Sequence, residues 1–180
     1  MKASSGNLRS GGGFTMMEIL MVVAVVLILG GLLVPVMGKV RRGADRATCL
    51  GKLREIGTAL ELYMNDHGDR VPDLVLARLD ADDEEETLEV VLAPYLQNEE
   101  AFHCPADREL FSKSGSSYLW NTTQNGLHKT NTSFLGQEGR PEVVPLVLDK
   151  EAFHGETNGS NILYADYRTT NKLTFDVGSQ

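Results

Sequence analysis

The stretch SGGGFTMMEIL, Ser10 to Leu20, runs three glycines into an apolar segment that carries one glutamate. From Ile19 to Gly38 there follow twenty consecutive uncharged residues, mostly Val, Leu, Ile and Met. Coiled as a helix at ~1.5 Å per residue, they would be ~30 Å long, about the thickness of a bilayer's hydrocarbon core. Glu18 stands at the edge of this run, behind Phe14, Met16 and Met17. If the apolar segment is counted from Phe14, the carboxylate lies inside it. An unpaired carboxylate there costs several kcal/mol, so Glu18 needs a partner.

Three readings compete for the apolar run. A secretory signal has a shorter apolar stretch, ~7–15 residues, followed by a small-x-small cleavage site. Here the run is longer, and LLVPVMGKV offers Val, Pro and Met where small residues belong. A buried helix apolar on all sides needs a large core around it, which a chain of 180 residues cannot build beside a second domain. A single membrane span is the expectation that remains. Its orientation is not set by charge, because Lys2 and Arg9 precede it and Lys39, Arg41 and Arg42 follow it.

The net charge of −8 argues against a nucleic-acid partner, which would require a basic face. Acid is concentrated in DADDEEE, Asp80 to Glu86, which reads as a solvated loop or a first helical turn. Cys49 and Cys104 are the two cysteines, and an oxidising compartment would allow one disulfide. One lies in a helical context and the other in a loop, which weighs against pairing them. No C-x-x-C metal spacing is present.

GGGFTMMEIL closely resembles the processing site of type IV prepilins and of the pseudopilins of type II secretion. The resemblance implies cleavage after Gly13, methylation of Phe14 as the new N-terminus, and retention of Glu18 four residues later. Residues 1–13, short, basic and free of acid, match the expected leader. Pro35 stands where pilins commonly carry a helix-bending proline, and by itself it removes a helical hydrogen bond. Cleavage creates an α-amino group with a pKa near ~8. The family's proposal is that the glutamate pairs with this amine on a neighbouring subunit. A buried charge then sets the stagger of a filament.

Leu50, Leu53, Ile56, Leu60 and Tyr63 recur at spacings of three and four, which predicts an apolar stripe on a polar helix. Gly43, Gly51 and Gly57 weaken that helix locally, and NDHGDRVP stops it. A helix from about Thr15 to Asp66 follows, then a second at Glu86 to Leu96. Strands are expected at Tyr118 to Trp120, Val143 to Leu148, Asn161 to Ala165 and Lys172 to Phe175, with Asp149 to Ser160 as a connecting loop. The fold class is α+β: a pilin-like long helix packed on a small antiparallel sheet. The segments are a leader at 1–13, a transmembrane and assembly helix at 14–38, its amphipathic continuation at 39–66, and a periplasmic globular domain at 67–180.

CLGKLREIGTALELYMNDHGDRVP, FHCPAD and YLWN also resemble pseudopilin-like proteins of planctomycete and verrucomicrobial type. Those proteins carry a C-terminal His, nine residues, then Asp-Gly. Here eleven residues separate His154 from Asp166, and Tyr167 replaces the glycine. His154 with Asp166 reads as a hydrogen bond across a loop rather than a catalytic pair, since no G-x-S-x-G nucleophile or H-E-x-x-H spacing is present. No catalytic residue is assigned and no enzymatic activity is expected. The sequons at Asn121, Asn131 and Asn158 read as chance in a Ser/Thr/Asn-rich region. No cofactor is expected beyond Ca²⁺, which major pseudopilins often hold in a C-terminal loop. Asp149, Glu151, Asp166 and Asp176 are the weak candidates here.

The resemblance implies a pseudopilin of a type II secretion system that forms a short periplasmic filament and helps to export folded proteins. Its partners would be other pseudopilins, a prepilin peptidase and a secretion platform. Its location would be the inner membrane, with the C-terminal domain in the periplasm. A type IV pilin or minor pilin for adhesion, motility or DNA uptake is the alternative, and a membrane-tethered hydrolase or binding domain is the alternative of another class.

Overall fold

The helix expected from about Thr15 to Asp66 is present as α1, Met16–Asp66. The computed structural model describes residues 14–155 and 159–172, apart from the side chains of residues 32–36. Thr15 starts α1: its hydroxyl oxygen and its carbonyl both accept from the Glu18 N–H. A Thr at this place, with Glu three residues on, is half of a capping box, and an acidic side chain in the first turn is favoured by the helix dipole. At the other end the Asp69 N–H donates to the Met64 carbonyl, and Gly68 sits at φ +66°. That is a Schellman stop, and only glycine takes its left-handed residue without cost.

The chain divides into two compact units, Met1–Val40 and Arg41–Gln180. In the first, the described apolar side chains from Met16 to Leu29 are exposed, with Leu27 70% and Met16 87% accessible. Here the expectation of a single-pass inner-membrane protein is corrected: among the described residues, no helix is long and apolar enough to cross a membrane. Pro35 and the kink expected of it fall at residues 32–36, outside the described side chains.

The second unit is α+β. Its four-stranded antiparallel sheet has the order β1-β4-β5-β6, with β1 at Tyr118–Trp120, β4 at Pro145–Asp149, β5 at Ile162–Tyr164 and β6 at Thr169–Thr170. The helical stripe is buried at Cys49, Leu53, Ile56, Ala59, Leu60 and Met64, in one cluster with Tyr118, Trp120, Leu146 and Leu163. Each fully buried Leu or Ile contributes roughly 1.5–3 kcal/mol of transfer free energy. Leu50 and Tyr63, expected in the stripe, lie at its margin and are half-buried. Gly57 has a packing reason: a Cβ there would come within 3.1 Å of Leu163 Cδ1 on β5. The glycine lets this turn of helix lie close against the sheet.

The strands expected near 143–148 and 161–165 are present with shifted ends; Asp149, expected in the connecting loop, closes β4, and residues 156–158 of that loop lie outside the described residues. Of the strand expected at Lys172 to Phe175, residues 173–175 lie outside the described residues; β6 lies just before it. The second helix is shorter than expected. α2 covers Leu88–Leu92 and passes into a 3₁₀ turn at Ala93–Tyr95, because Pro94 has no N–H to donate and its ring obstructs a continuing α-helix. A third helix, α3 at Leu110–Ser114, and a hairpin of β2 (Ser133–Phe134) with β3 (Gln137–Glu138) were not expected. The hairpin turns through Leu135 and Gly136 at φ +50° and +78°. A primed turn is usually announced by Asn-Gly or Asp-Gly, and Leu-Gly does not announce one. Asp80 to Glu86 form an exposed loop.

Candidate functional site

Two places carry chemistry. The first is the start of α1. Phe14 precedes the helix and is 78% exposed, so it does not share a helical face with Glu18. Glu18 is exposed in the first turn, surrounded by exposed Met16, Met17, Ile19 and Leu20. Gly13 lies outside the described residues.

The second place is a buried polar cluster in the Arg41–Gln180 unit. Cys49 of α1 and Cys104 of the FHCPAD segment are joined by a disulfide, with Cα atoms 5.1 Å apart. Their differing sequence contexts weighed against this pairing without excluding it, and the fold makes it. α1 turns Cys49 inward one helical turn before Leu53, and the loop carrying Cys104 crosses that face. The Cys104 N–H donates to the Ser117 hydroxyl oxygen at 3.0 Å, and that hydroxyl donates to Asp107 Oδ2 at 2.6 Å. Asp107 also accepts from the N–H groups of Glu109, Leu110 and Phe111, and so starts α3. Burial opposes ionisation of Asp107, but the Ser117 hydroxyl and these three N–H groups outweigh it and hold the carboxyl below its usual range.

His154 closes the cluster. Its Nε2 lies 3.3 Å from Cys104 Sγ and 4.0 Å from Asp149 Oδ2. Its carbonyl accepts from Arg46 Nη2 at 3.0 Å. The hydrogen bond expected with Asp166 gives way to these contacts, and Asp166 instead accepts from the Arg168 N–H. Burial, then the charge of Arg46, lowers the His154 pKa and favours the neutral ring. Tyr167 stands where the resembled motif has glycine and adopts φ +63°. The glycine-type turn is therefore kept by a residue for which it costs about 1–2 kcal/mol.

Asp149, at the end of β4, is buried, and its Oδ2 accepts from the Asn161 N–H at 2.8 Å. Burial pushes its carboxyl up to about 7, against the hydrogen bonds from Asn161 and the charge of Arg46, and with the charge of Asp107. A folded-state value raised above the unfolded one means that the folded chain binds this proton more tightly. The resulting stability is fully present below pH ~4 and is lost as pH rises to about 7, at no more than about 1.4 kcal/mol per pH unit. Asp149→Asn should remove this slope. Urea-unfolding midpoints at pH 5 and pH 8 should differ less in the variant than in the parent. An equal difference in both would show that Asp149 does not titrate in this window.

Cys49 Sγ, Cys104 Sγ and His154 Nε2 all lie within 4.8 Å of one another, the one such group of potential metal donors among the described residues. Of the calcium candidates, Asp149 is buried with only Oδ2 accepting a hydrogen bond, Glu151 is exposed and Asp166 accepts from the Arg168 N–H of its own loop. They do not converge among the described residues, and Asp176 lies outside them. The expectations for the N-terminal segment rested on a motif, whereas the buried cluster had no contiguous signature. The segments that carry Cys49, Cys104 and His154 had each been singled out by resemblance, but nothing in them joined the three. No family model, no curated protein and no solved structure matches the chain.

Proposed function

We propose that this protein is a pseudopilin subunit of a type II secretion system, cut after Gly13 and assembled through the start of α1 into a short filament that helps to export folded proteins. One observation carries the reading: the exposed apolar surface of α1 from Met16 to Leu29 begins within Gly-Phe-Thr-x-x-Glu, with Glu18 in its first turn. Apolar area of that extent needs cover. Copies of the same helix supply it and bring one subunit's Glu18 to another's new amine. The Cys49–Cys104 bridge agrees with assembly in an oxidising compartment. The partners are then other pseudopilins, the prepilin peptidase and the secretion platform.

A type IV pilin or minor pilin is the second reading. Many adhesive pilins close a C-terminal loop with their cysteines, whereas here Cys49 ties α1 to the segment at Cys104. That favours the secretion subunit. A secretion ATPase, platform and secretin encoded beside the gene would distinguish the two.

The first test is processing. Intact-mass analysis of the chain produced with a prepilin peptidase should show loss of residues 1–13 and one added methyl group on Phe14. A bulky residue at Gly13 should block cleavage. A full-length, unmodified chain beside an active peptidase would overturn the reading.

A further inference from the structure

We propose that, before Cys49 and Cys104 are joined, the chain holds one thiophilic divalent cation, zinc, through Cys49 Sγ, Cys104 Sγ and His154 Nε2, with the Asp149 carboxylate as fourth ligand. Cys₂His plus carboxylate is a donor set that zinc accepts in tetrahedral geometry, with Zn–S ~2.3 Å and Zn–N or Zn–O ~2.0–2.2 Å. Those bond lengths require donor separations of ~3.8 Å for S···S, ~3.5 Å for S···N and ~3.4 Å for N···O. Cys104 Sγ to His154 Nε2 is 3.3 Å, and His154 Nε2 to Asp149 Oδ2 is 4.0 Å. Of the six edges of such a tetrahedron, Cys104 Sγ to His154 Nε2 is within a few tenths of an ångström of its length, His154 Nε2 to Asp149 Oδ2 must close by about 0.6 Å, Cys49 already lies within 4.8 Å of His154, and the sulfurs must part.

The surroundings fit a resident ion. Cys49 and Cys104 are fully buried, and the side chains of His154 and Asp149 are 1% and 0% accessible. Asp149 Oδ1 is buried and has no hydrogen-bond partner among the described residues, an expensive state for a carboxylate oxygen. The Asn161 N–H orients the carboxylate through Oδ2, in the manner of the outer hydrogen bonds that support metal ligands. Two thiolates and a carboxylate around a dication leave one negative charge, and Arg46, which donates to the His154 carbonyl, is there to balance it.

The disulfide and the cation exclude each other, because bonded sulfurs are not thiolates. A dithiol reductant would convert the disulfide to two thiols and leave as its own cyclic disulfide. Binding of the cation then releases the two thiol protons to solvent. Zinc would thereby hold α1 to the Cys104 loop in a chain not yet oxidised, at the place where the disulfide holds it afterwards.

Cobalt(II) reports the site directly. Full-length chain, reduced by a phosphine and handled without oxygen, should take up one equivalent of Co²⁺, with a thiolate-to-cobalt charge-transfer band and the visible bands of a tetrahedral ion. Zn²⁺ should displace it, and the oxidised chain should show neither band. Cys49→Ser should lose about half of the charge-transfer intensity. His154→Ala and Asp149→Asn should weaken binding by at least about tenfold. If reduction loosens the fold, one equivalent of Zn²⁺ should restore it, read as a rise in the thermal midpoint of the reduced chain. A reduced chain without the charge-transfer band overturns the proposal. So does a His154→Ala variant whose spectrum and affinity equal the parent's.

Discussion

Replacing Cys49 with alanine should lower the unfolding free energy by about 4 kcal/mol. The bridge joins residues 55 apart in sequence, and closing a loop of that length removes roughly 4 kcal/mol of chain entropy from the unfolded state in the loop-entropy model. The connection matters here because of what it joins. Cys49 begins the buried stripe of α1, and Cys104 anchors the Ser117–Asp107 hydrogen bonds that start α3. Lys52 also ties the helix to that region, its Nζ donating to the Glu100 carbonyl at 2.6 Å, but this is a surface contact of modest worth. Equilibrium urea unfolding, with a chelator present so that no cation substitutes for the bridge, measures the effect as a drop in midpoint at nearly constant slope. Reduction of the parent should reproduce the loss. A change below about 1 kcal/mol would show that the loop is held as firmly by its packing alone.

Glu18→Gln should abolish filament assembly while leaving the Arg41–Gln180 unit folded. Within one chain Glu18 contributes little. Its N–H is capped by Thr15, and its carboxylate meets the positive end of α1, worth about 0.3–1 kcal/mol. In a filament, the apolar side chains around it would be covered and both Glu18 and the amine of Phe14 desolvated. Removing one partner of such a buried pair costs on the order of 3–5 kcal/mol per contact, because the other charge stays uncompensated. Repeated at each subunit, that penalty empties the assembled state. Crosslinking of the processed chain should give a ladder for the parent and monomer alone for Glu18→Gln, with unchanged urea unfolding of the folded unit. Identical ladders would show that Glu18 does not direct assembly.

α1 and its limits were legible in the residues. The apolar stripe has helical period, Thr15 and Glu18 form a start signal, and NDHG is a stop. These are local devices, acting between residues three to five apart. β1 was legible for the same reason, as a short aromatic run between turn residues. The Leu135–Gly136 turn was not, because a leucine at φ +50° goes against that residue's own backbone preference, and the sequence carries no Asn-Gly or Asp-Gly signal there. Nor was the single membrane span sustained: the residues supply apolar character, but among those described no helix is long and apolar enough to cross a membrane.

By itself, then, the sequence determined the long helix, its buried stripe, the α+β class and the motif that suggests processing at Gly13. Only the tertiary structure decided the chemistry of the buried cluster. Cys49, Cys104, Asp149 and His154 come from one helix, one loop, one strand end and one connection. No spacing rule relates them, since what brings them together is the packing of α1 across the sheet. The shift of Asp149 to about 7 follows from the same packing. A carboxylate's environment depends on which side chains close over it, and that is fixed by contacts between residues distant in sequence.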